Sequence, residues 1–281
     1  MKHSASERWE VGNGLAGYCW PAVRPRAVLL LQHGYAEYAE RFVREHGALI
    51  PHLLDEGISV FAFDLEGHGR SPGTRGVVDI EEAVRRHLAA RTSLDIAGLL
   101  LILLGHSLGG LITAASVVAS SDRVKGVILS SPAFDRRSPS LRLMAERVAK
   151  MSPEWGIAAQ QDPSGLSRDK EAVERFKSDP LIYRGPLPAL MAASALRMAN
   201  RVYNQASQWT VPTLIVHGSD DVFTPHTDSL AIFERLRSRD KTISVVPEGK
   251  HELFNDIIGS EMKANVFRRI DERLPWRASS A

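Results

Sequence analysis

The chain has 281 residues, 44% of them hydrophobic, so it can bury one large core, alone or with a small appended domain. Its 35 basic and 33 acidic residues give a net charge of +2, which argues against a nucleic-acid-binding protein because the chain lacks a global basic field. The single cysteine, Cys19, excludes an internal disulfide framework and a multi-cysteine metal site.

The start of the chain shows no targeting signal. Its first nine residues lack the apolar core of a signal peptide, and no apolar run is long enough to span a bilayer. We therefore expect a cytoplasmic protein, with peripheral association with lipid left open. Residues 12–14, Gly-Asn-Gly, lie between two short strand-like segments and predict a hairpin.

Apolar runs alternate with amphipathic stretches over the next hundred residues. The runs predict strands at 27–32, 58–63, 99–104 and 124–129. The stretches predict helices over about 41–56 and 80–94. Strands that alternate with helices are typical of a doubly wound α/β protein, so we predict a mostly parallel central sheet flanked by helices.

This rhythm stops between residues 133 and 206. The segment has no strand-like run, shows helical periodicity, and is divided into short pieces by five prolines. We predict that 133–206 is a helical lid inserted after the sixth strand, and that 1–132 and 207–281 form the core. Its larger apolar residues would line an apolar channel or pack between lid and core: Met144, Met151, Met191, Met198 and Trp155.

The strand at 99–104 runs directly into a glycine-bracketed serine. Residues 105–109, Gly-His-Ser-Leu-Gly, match the pattern G-x-S-x-G, and 111–120 have the composition of a helix. Such a strand–turn–helix context is typical of a nucleophilic serine, because the tight turn requires small residues two before and two after it. The helix N-terminus would stabilise an oxyanion beside Ser107. A glycine-rich turn with a chance serine is the alternative.

Two later strands end beside a candidate acid and a candidate base. The strand at 211–218 is followed by Asp220 and Asp221, and the strand at 242–246 is followed by His251. His251 would take the Ser107 proton and return it to the leaving group, while a carboxylate holds its tautomer. The residues follow in the chain order serine, acid, histidine, which is the order found in α/β-hydrolases. Because each follows a parallel strand, we expect the three to meet at one edge of the sheet.

Longer motifs resemble those of a known family, and the similarity extends roughly from Trp20 to Arg273. Residues 33–42 resemble H-G-x-x-E-H-x-x-R-Y, and residues 64–76 resemble D-x-x-G-H-G-x-S-x-G-x-R-G. Within the predicted lid, 166–169 and 178–185 resemble the same group and discriminate it from other esterases. The chain is similar to the monoacylglycerol lipase, or lysophospholipase-like, group of α/β-hydrolases.

The resemblance implies an α/β-hydrolase fold and a cofactor-free, metal-free enzyme. It implies hydrolysis of monoacylglycerols to fatty acid and glycerol through an acyl-enzyme on Ser107. In the family the acid stands three residues after a glycine, here Gly218, which favours Asp221 over Asp220, and His251 is the base. The substrate would be a single-chain lipid ester, and lid contact with a membrane or lipid droplet, like the oligomeric state, is left open.

The same resemblance places the oxyanion hole. The donors would be the backbone N–H groups of Tyr35 and Leu108. Tyr38 stands where the family often has histidine, which puts a role at the glycerol end in doubt. Glu37 would either contact a polar head group or form an ion pair with Arg41.

Other functions remain as alternatives. The same fold serves lysophospholipases, broad-specificity carboxylesterases and cofactor-free perhydrolases, and it could also serve as a non-catalytic binding scaffold. His33, His68 and His106 fall in loops near the sheet edge without forming a metal set, and His106 is expected to pack behind the nucleophile.

Overall fold

An eight-stranded sheet lies at the centre of the molecule. The computed structural model describes residues 5–94, 96, 98–135, 139–160 and 162–272. The strands are β1 (Glu7–Arg8), β2 (Gly17–Trp20), β3 (Ala27–Gln32), β4 (Ile58–Phe63), β5 (Leu100–His106), β6 (Val124–Ser130), β7 (Gly156–Ala158), β8 (Leu187–Pro188), β9 (Thr213–Gly218) and β10 (Lys241–Val246). The α-helices are α1 (Arg41–Arg44), α2 (Leu49–Asp55), α3 (Ile80–Ser93), α4 (Leu108–Ala119), α5 (Pro139–Met151), α6 (Lys170–Ser178), α7 (Ala189–Gln205), α8 (His226–Arg235) and α9 (Gly259–Asp271). Within the described ranges, no helix is both long and apolar enough to cross a bilayer.

The sheet is mostly parallel, as predicted. Its strand order is β1-β2-β4-β3-β5-β6-β9-β10. The six strands from β4 to β10 in this order run parallel, whereas β1 and β2 pair antiparallel at one edge and confirm the predicted hairpin.

Both faces of the central strands are buried, which explains why these strands are apolar at nearly every position. In β3, Val28 and Leu30 join one hydrophobic cluster, while Leu29 and Leu31 join the cluster on the opposite face. The alternation follows from the two-residue period of a strand. The core therefore consists of two layers separated by the sheet.

The carboxyl ends of the parallel strands carry the residues predicted for the site. Tyr35 follows β3, Ser107 follows β5, Asp221 follows β9 and His251 follows β10. Ligands of open parallel sheets bind at this edge, so the topology brings together residues far apart in sequence.

The single helix predicted over 41–56 is wrong. The structure has α1, a 3-10 turn at His46–Ala48 and α2 instead. All three residues of that turn have positive φ, between 50° and 62°, and left-handed backbone cannot continue an α-helix. The Gly47 N–H donates to Asn255 Oδ1 at 3.2 Å, so a contact distant in sequence overrides the helical pattern.

The segment 133–206 contains α5, α6 and α7, as its periodicity predicts. It also contains β7 and β8, which pair antiparallel in a separate two-stranded sheet, so the expectation of no strand there is wrong. These strands have three and two residues and are too short for a periodic pattern. The division of the chain into core and lid stays a prediction.

The large apolar residues of this segment fall into two groups. Met191 and Met198 of α7 are buried in the same cluster as Leu111 of α4, so they pack between the segment and the core. Met151 and Trp155, by contrast, are 86% and 64% exposed. One end of the segment is therefore tied into the core, and the other presents apolar side chains to solvent.

Candidate active site

Ser107 lies at a tight turn between β5 and α4. Its φ of 53° and ψ of −120° lie outside the regions that most residues adopt. A Cβ at Gly105 would collide with the Gly109 carbonyl, and a Cβ at Gly109 would collide with that of Gln32. The predicted need for small residues on both sides of the serine is confirmed.

The structure brings Ser107, His251 and Asp221 into one hydrogen-bonded row. His251 Nε2 lies 2.9 Å from Ser107 Oγ, and His251 Nδ1 lies 2.7 Å from Asp221 Oδ2. Because the carboxylate can only accept, Nδ1 carries a proton and Nε2 is left to accept from the serine hydroxyl. Asp220 is exposed and its carboxylate accepts from Ser219 Oγ, so it is not part of the row.

Asp221 is held by hydrogen bonds on both carboxylate oxygens. Its Oδ1 accepts from the backbone N–H groups of Phe223 and Thr224 at 2.9 and 3.0 Å, and its Oδ2 accepts from Thr224 Oγ1 at 2.9 Å. Burial opposes ionisation, but the charge of His251 and hydrogen bonds from His217 and His251 hold the pKa of Asp221 well below its usual range. The acid is thus ionised throughout the neutral range.

His251 is buried beside the serine and its pKa lies above the ordinary value. Burial disfavours the charged imidazolium, yet the charge of Asp221 and its hydrogen bond outweigh that penalty and raise the pKa. The His106 ring lies 5.0 Å from the His251 ring, centroid to centroid, and its Nδ1 is 3.2 Å from the Ser130 carbonyl. Burial lowers the pKa of His106 to about 3, so it packs behind Ser107 as a neutral ring.

Two segments that flank Ser107 carry the predicted oxyanion donors. Leu108 is the first residue of α4, and a Cβ at Gly34, which precedes Tyr35, would lie 3.0 Å from Ser107 Cβ. The Gly34 N–H donates to Glu37 Oε1 at 2.8 Å, which fixes the loop that carries Tyr35. The Tyr35 hydroxyl donates to the Gly76 carbonyl at 3.2 Å.

A buried charge cluster lies next to this loop. Arg41 Nη1 is 2.7 Å from Glu37 Oε2 and 3.0 Å from Glu252 Oε1, and His46 Nε2 is 2.8 Å from Glu37 Oε2. Of the two roles expected for Glu37, the ion pair with Arg41 is therefore the one observed. Burial opposes the charge of Glu252, but chiefly the Arg41 guanidinium lowers the pKa of that carboxyl to about 2. Sequence reasoning missed Glu252 in this cluster.

Among the described residues, Glu37, His46 and His106 could offer three ligand atoms within 4.8 Å of one another. This set differs from the three histidines considered in the sequence. The Arg41 guanidinium already lies against Glu37 Oε2 at 2.7 Å and His46 Nε2 at 3.5 Å. A fixed cation at that position repels a metal ion, so the geometry favours an ion-pair cluster.

The motif at 178–185 packs against the loop that follows β3. Tyr38 Oη donates to Asp179 Oδ2 at 2.7 Å, and the Tyr183 N–H donates to the Ala36 carbonyl at 2.9 Å. Tyr38, which departs from the family pattern, therefore links the loop that carries Tyr35 to the segment after α6.

The motif at 166–169 packs against the loop that carries His251. The Glu252 N–H donates to the Leu166 carbonyl at 2.7 Å, and Arg168 forms a 2.7 Å ion pair with Asp256. Both segment motifs that resemble the family thus pack against a loop of the site.

Known proteins match this chain over most of its length. The model of the serine aminopeptidase S33 family matches residues 23–257. A monoacylglycerol lipase of Mycolicibacterium smegmatis is 35% identical over 246 residues, which cover 84% of this chain and 85% of that protein. The chain belongs to the monoacylglycerol lipase group of α/β-hydrolases.

Further members of this α/β-hydrolase group match over almost the full chain. The monoglyceride lipase of Homo sapiens is 30% identical, covering 94% of this chain and 87% of that protein. The crystal structure of Paleococcus ferrophilus monoacylglycerol lipase superposes with a TM-score of 0.84 at 30% identity, covering 92% of this chain and 99% of that one. The predicted fold and family are confirmed, and the protein is a carboxylic ester hydrolase.

Proposed function

We propose that this protein hydrolyses monoacylglycerols to a fatty acid and glycerol, with Ser107 as nucleophile, His251 as base and Asp221 as acid. The observation that carries the proposal is the row of hydrogen bonds from Ser107 Oγ through His251 to Asp221. The substrate class is supported by the relatives named monoacylglycerol or monoglyceride lipase.

The geometry supports a two-step acyl transfer. His251 Nε2 takes the Ser107 proton as Oγ attacks the ester carbonyl, and the same proton passes to the glycerol oxygen as its bond to the acyl carbon breaks. A water molecule then gives a proton to His251 and its oxygen to the acyl carbon, and Ser107 recovers the proton as the fatty acid leaves. The N–H groups of Tyr35 and Leu108 would bind the oxyanion in both steps.

A hydrolysis panel tests this function. It compares 1- and 2-monoacylglycerols, lysophosphatidylcholine, simple alkyl esters and nitrophenyl esters of the same acid, with Ser107→Ala as the inactive control. We expect a preference for monoacylglycerols that the substitution abolishes. A preference for lysophosphatidylcholine, or equal rates on simple alkyl esters, would contradict the glycerol assignment, and turnover independent of Ser107 would contradict the nucleophile.

We propose further that residues 133–206 act as a lid whose first part contacts a lipid surface. The exposed apolar side chains of α5 and the following turn support this contact, and they include Met151 and Trp155. Exposed Arg147 and Lys150 lie on the same helix and would favour anionic head groups.

Vesicle sedimentation tests the lipid contact. Wild-type protein should pellet with phosphatidylcholine vesicles that contain phosphatidylserine, and the double variant Met151→Ser, Trp155→Ser should stay in the supernatant. Val23→Ser is the matched control, since Val23 is 88% exposed in the segment between β2 and β3. Wild-type protein that never pellets would overturn the contact.

A further inference from the structure

A second imidazole, from His217, lies against the carboxylate of Asp221. His217 precedes the last residue of β9 and is fully buried. Its Nε2 lies 3.2 Å from Asp221 Oδ2 and 2.9 Å from the Thr224 carbonyl oxygen. Both neighbours are acceptors, so Nε2 carries a proton that it shares between them.

The other side of the ring is also held. His217 Nδ1 lies 2.8 Å from Oγ of Ser229, a buried residue of α8. With the proton at Nε2, Nδ1 lies where it can accept the Ser229 hydroxyl proton. The serine therefore fixes both the tautomer and the orientation of the ring, as outer partners do for functional histidines.

We propose that His217 is a positioning residue that holds Asp221 Oδ2 in place for His251, with Ser229 holding His217 in turn. The inference rests on the proposed function, in which Asp221 is the acid. Asp221 Oδ2 receives hydrogen bonds from His251 Nδ1 at 2.7 Å and Thr224 Oγ1 at 2.9 Å, besides the approach of His217. The oxygen is thus held from more than one direction, which leaves His251 one orientation toward Ser107.

Sharing the carboxylate has an electrostatic consequence. A donor from His217 withdraws part of the negative charge that Asp221 presents to His251, so the imidazolium is stabilised less than it would be by an unshared aspartate. Besides Asp221, the charges of Glu252 and Glu37 raise the pKa of His251, and the titratable His106 ring lies 5.0 Å from it as a neutral neighbour. The titratable His226 ring lies 6.5 Å from the His217 ring.

Three variants separate positioning from packing. His217→Leu removes the donor at similar volume, His217→Gln keeps an N–H near the Nε2 position, and Ser229→Ala removes only the partner that orients the ring. For each, we would measure kcat and KM for a nitrophenyl ester, the pH dependence of kcat/KM, and the thermal midpoint.

We expect His217→Leu to lower kcat by roughly 10-fold, as loss of one hydrogen bond to a charged group does, with KM within about two-fold. The acidic limb of its kcat/KM profile should move to higher pH. Without the donor from His217, Asp221 presents more of its negative charge to His251 and raises the pKa of that imidazole further. His217→Gln should restore kcat and return the acidic limb to its wild-type pH. Ser229→Ala should shift the acidic limb to higher pH, as His217→Leu does. A lower thermal midpoint with an unmoved acidic limb in all three variants would reduce His217 to a packing residue and overturn the proposal.

The readouts keep this inference separate from the substrate. If wild-type protein cleaves nitrophenyl esters but not monoacylglycerols, the proposed substrate fails and the His217 test stands unchanged. A fluorophosphonate labels Ser107 at a rate that depends on His251 as the base. The pH dependence of this labelling rate therefore gives a second measurement that needs no ester substrate. If folded His217→Leu has the labelling profile of the wild type, the positioning role is wrong. If His217→Leu does not fold, the profiles of His217→Gln and Ser229→Ala decide the question.

Discussion

At the scale of single residues, the site depends on which of two adjacent carboxylates meets the histidine. Asp221 is buried and lies 2.7 Å from His251 Nδ1, whereas Asp220 faces solvent. Neighbouring residues at the end of a strand point in opposite directions, so only one of them can reach the row. The two positions therefore form a matched pair for testing the acid.

We expect Asp221→Asn to lower kcat by roughly 10⁴-fold, because an amide presents the wrong partner to His251 Nδ1 and destabilises the imidazolium. Asp220→Asn should leave kcat within about two-fold, as for an exposed residue outside such networks. Steady-state kinetics on the preferred ester measures both. Equal losses in the two variants would show that the assignment of the acid is wrong.

Glu252 should contribute to the pH dependence of kcat/KM. Its negative charge is among the causes that raise the pKa of His251, and His251 must be neutral to act as a base. Activity should therefore fall as pH drops through the raised pKa, and Glu252→Gln should move this acidic limb of kcat/KM to lower pH. Glu248→Gln is the control, since Glu248 is exposed and should leave the limb in place. A limb that moves upward in Glu252→Gln would contradict the electrostatic argument.

At the scale of elements, the broken helix after β3 and the loop after β10 are joined by the buried cluster. Arg41 on α1 reaches Glu252 beside His251, while Glu37 accepts from the Gly34 N–H in the loop that carries Tyr35. The cluster thus connects the two loops that must keep a fixed spacing around Ser107. A helix continuing straight through 45–48 would not contain the turn that places His46 on Glu37.

Removing the central cation should destabilise the protein strongly. Arg41→Met leaves two buried carboxylates without their partner, so the free energy of unfolding should fall by about 3–5 kcal/mol. Arg175→Met removes an ion pair with Glu45 whose arginine is about half exposed, and should cost no more than about 1 kcal/mol. Urea titrations at neutral pH compare the two, and equal losses would show that the buried cluster contributes no more than a surface pair.

These elements also show what the sequence can and cannot predict. The meeting of Ser107, His251 and one of the two aspartates at 220 and 221 was predictable because each follows an apolar strand and the ends of parallel strands meet at one edge. The preference for Asp221 came from the family resemblance. The turn at 46–48, the Arg41 contact with Glu252 and the role inferred for His217 were not predictable, because they depend on side chains that meet only after folding. The Arg41–Glu252 pair, for instance, joins residues 211 positions apart.

At the scale of the whole molecule, the buried carboxylates should make the free energy of unfolding depend on pH. The pKa of Glu252 is about 2 in the folded protein, against about 4.3 in an unfolded chain. A lowered pKa gives stability that is present above the unfolded value and is lost as pH falls toward the folded one. The free energy of unfolding should therefore decline below about pH 5, and the decline should be shallower in Glu252→Gln. A variant with the same slope as wild type would contradict this linkage.

The burial of α7 in the core bears on how this enzyme could be re-engineered. Met191 and Met198 belong to the same apolar cluster as α4, although they lie inside the segment that sequence patterns assign to the lid. A chimera that exchanges all of 133–206 for a relative's lid would therefore also replace part of the apolar cluster against α4, and its stability would depend on how well the relative's side chains pack there. Junctions placed before α7 would keep that part of the cluster, but the exchanged part would still include 166–169 and 178–185, whose contacts with the loops of the site the donor lid would have to reproduce.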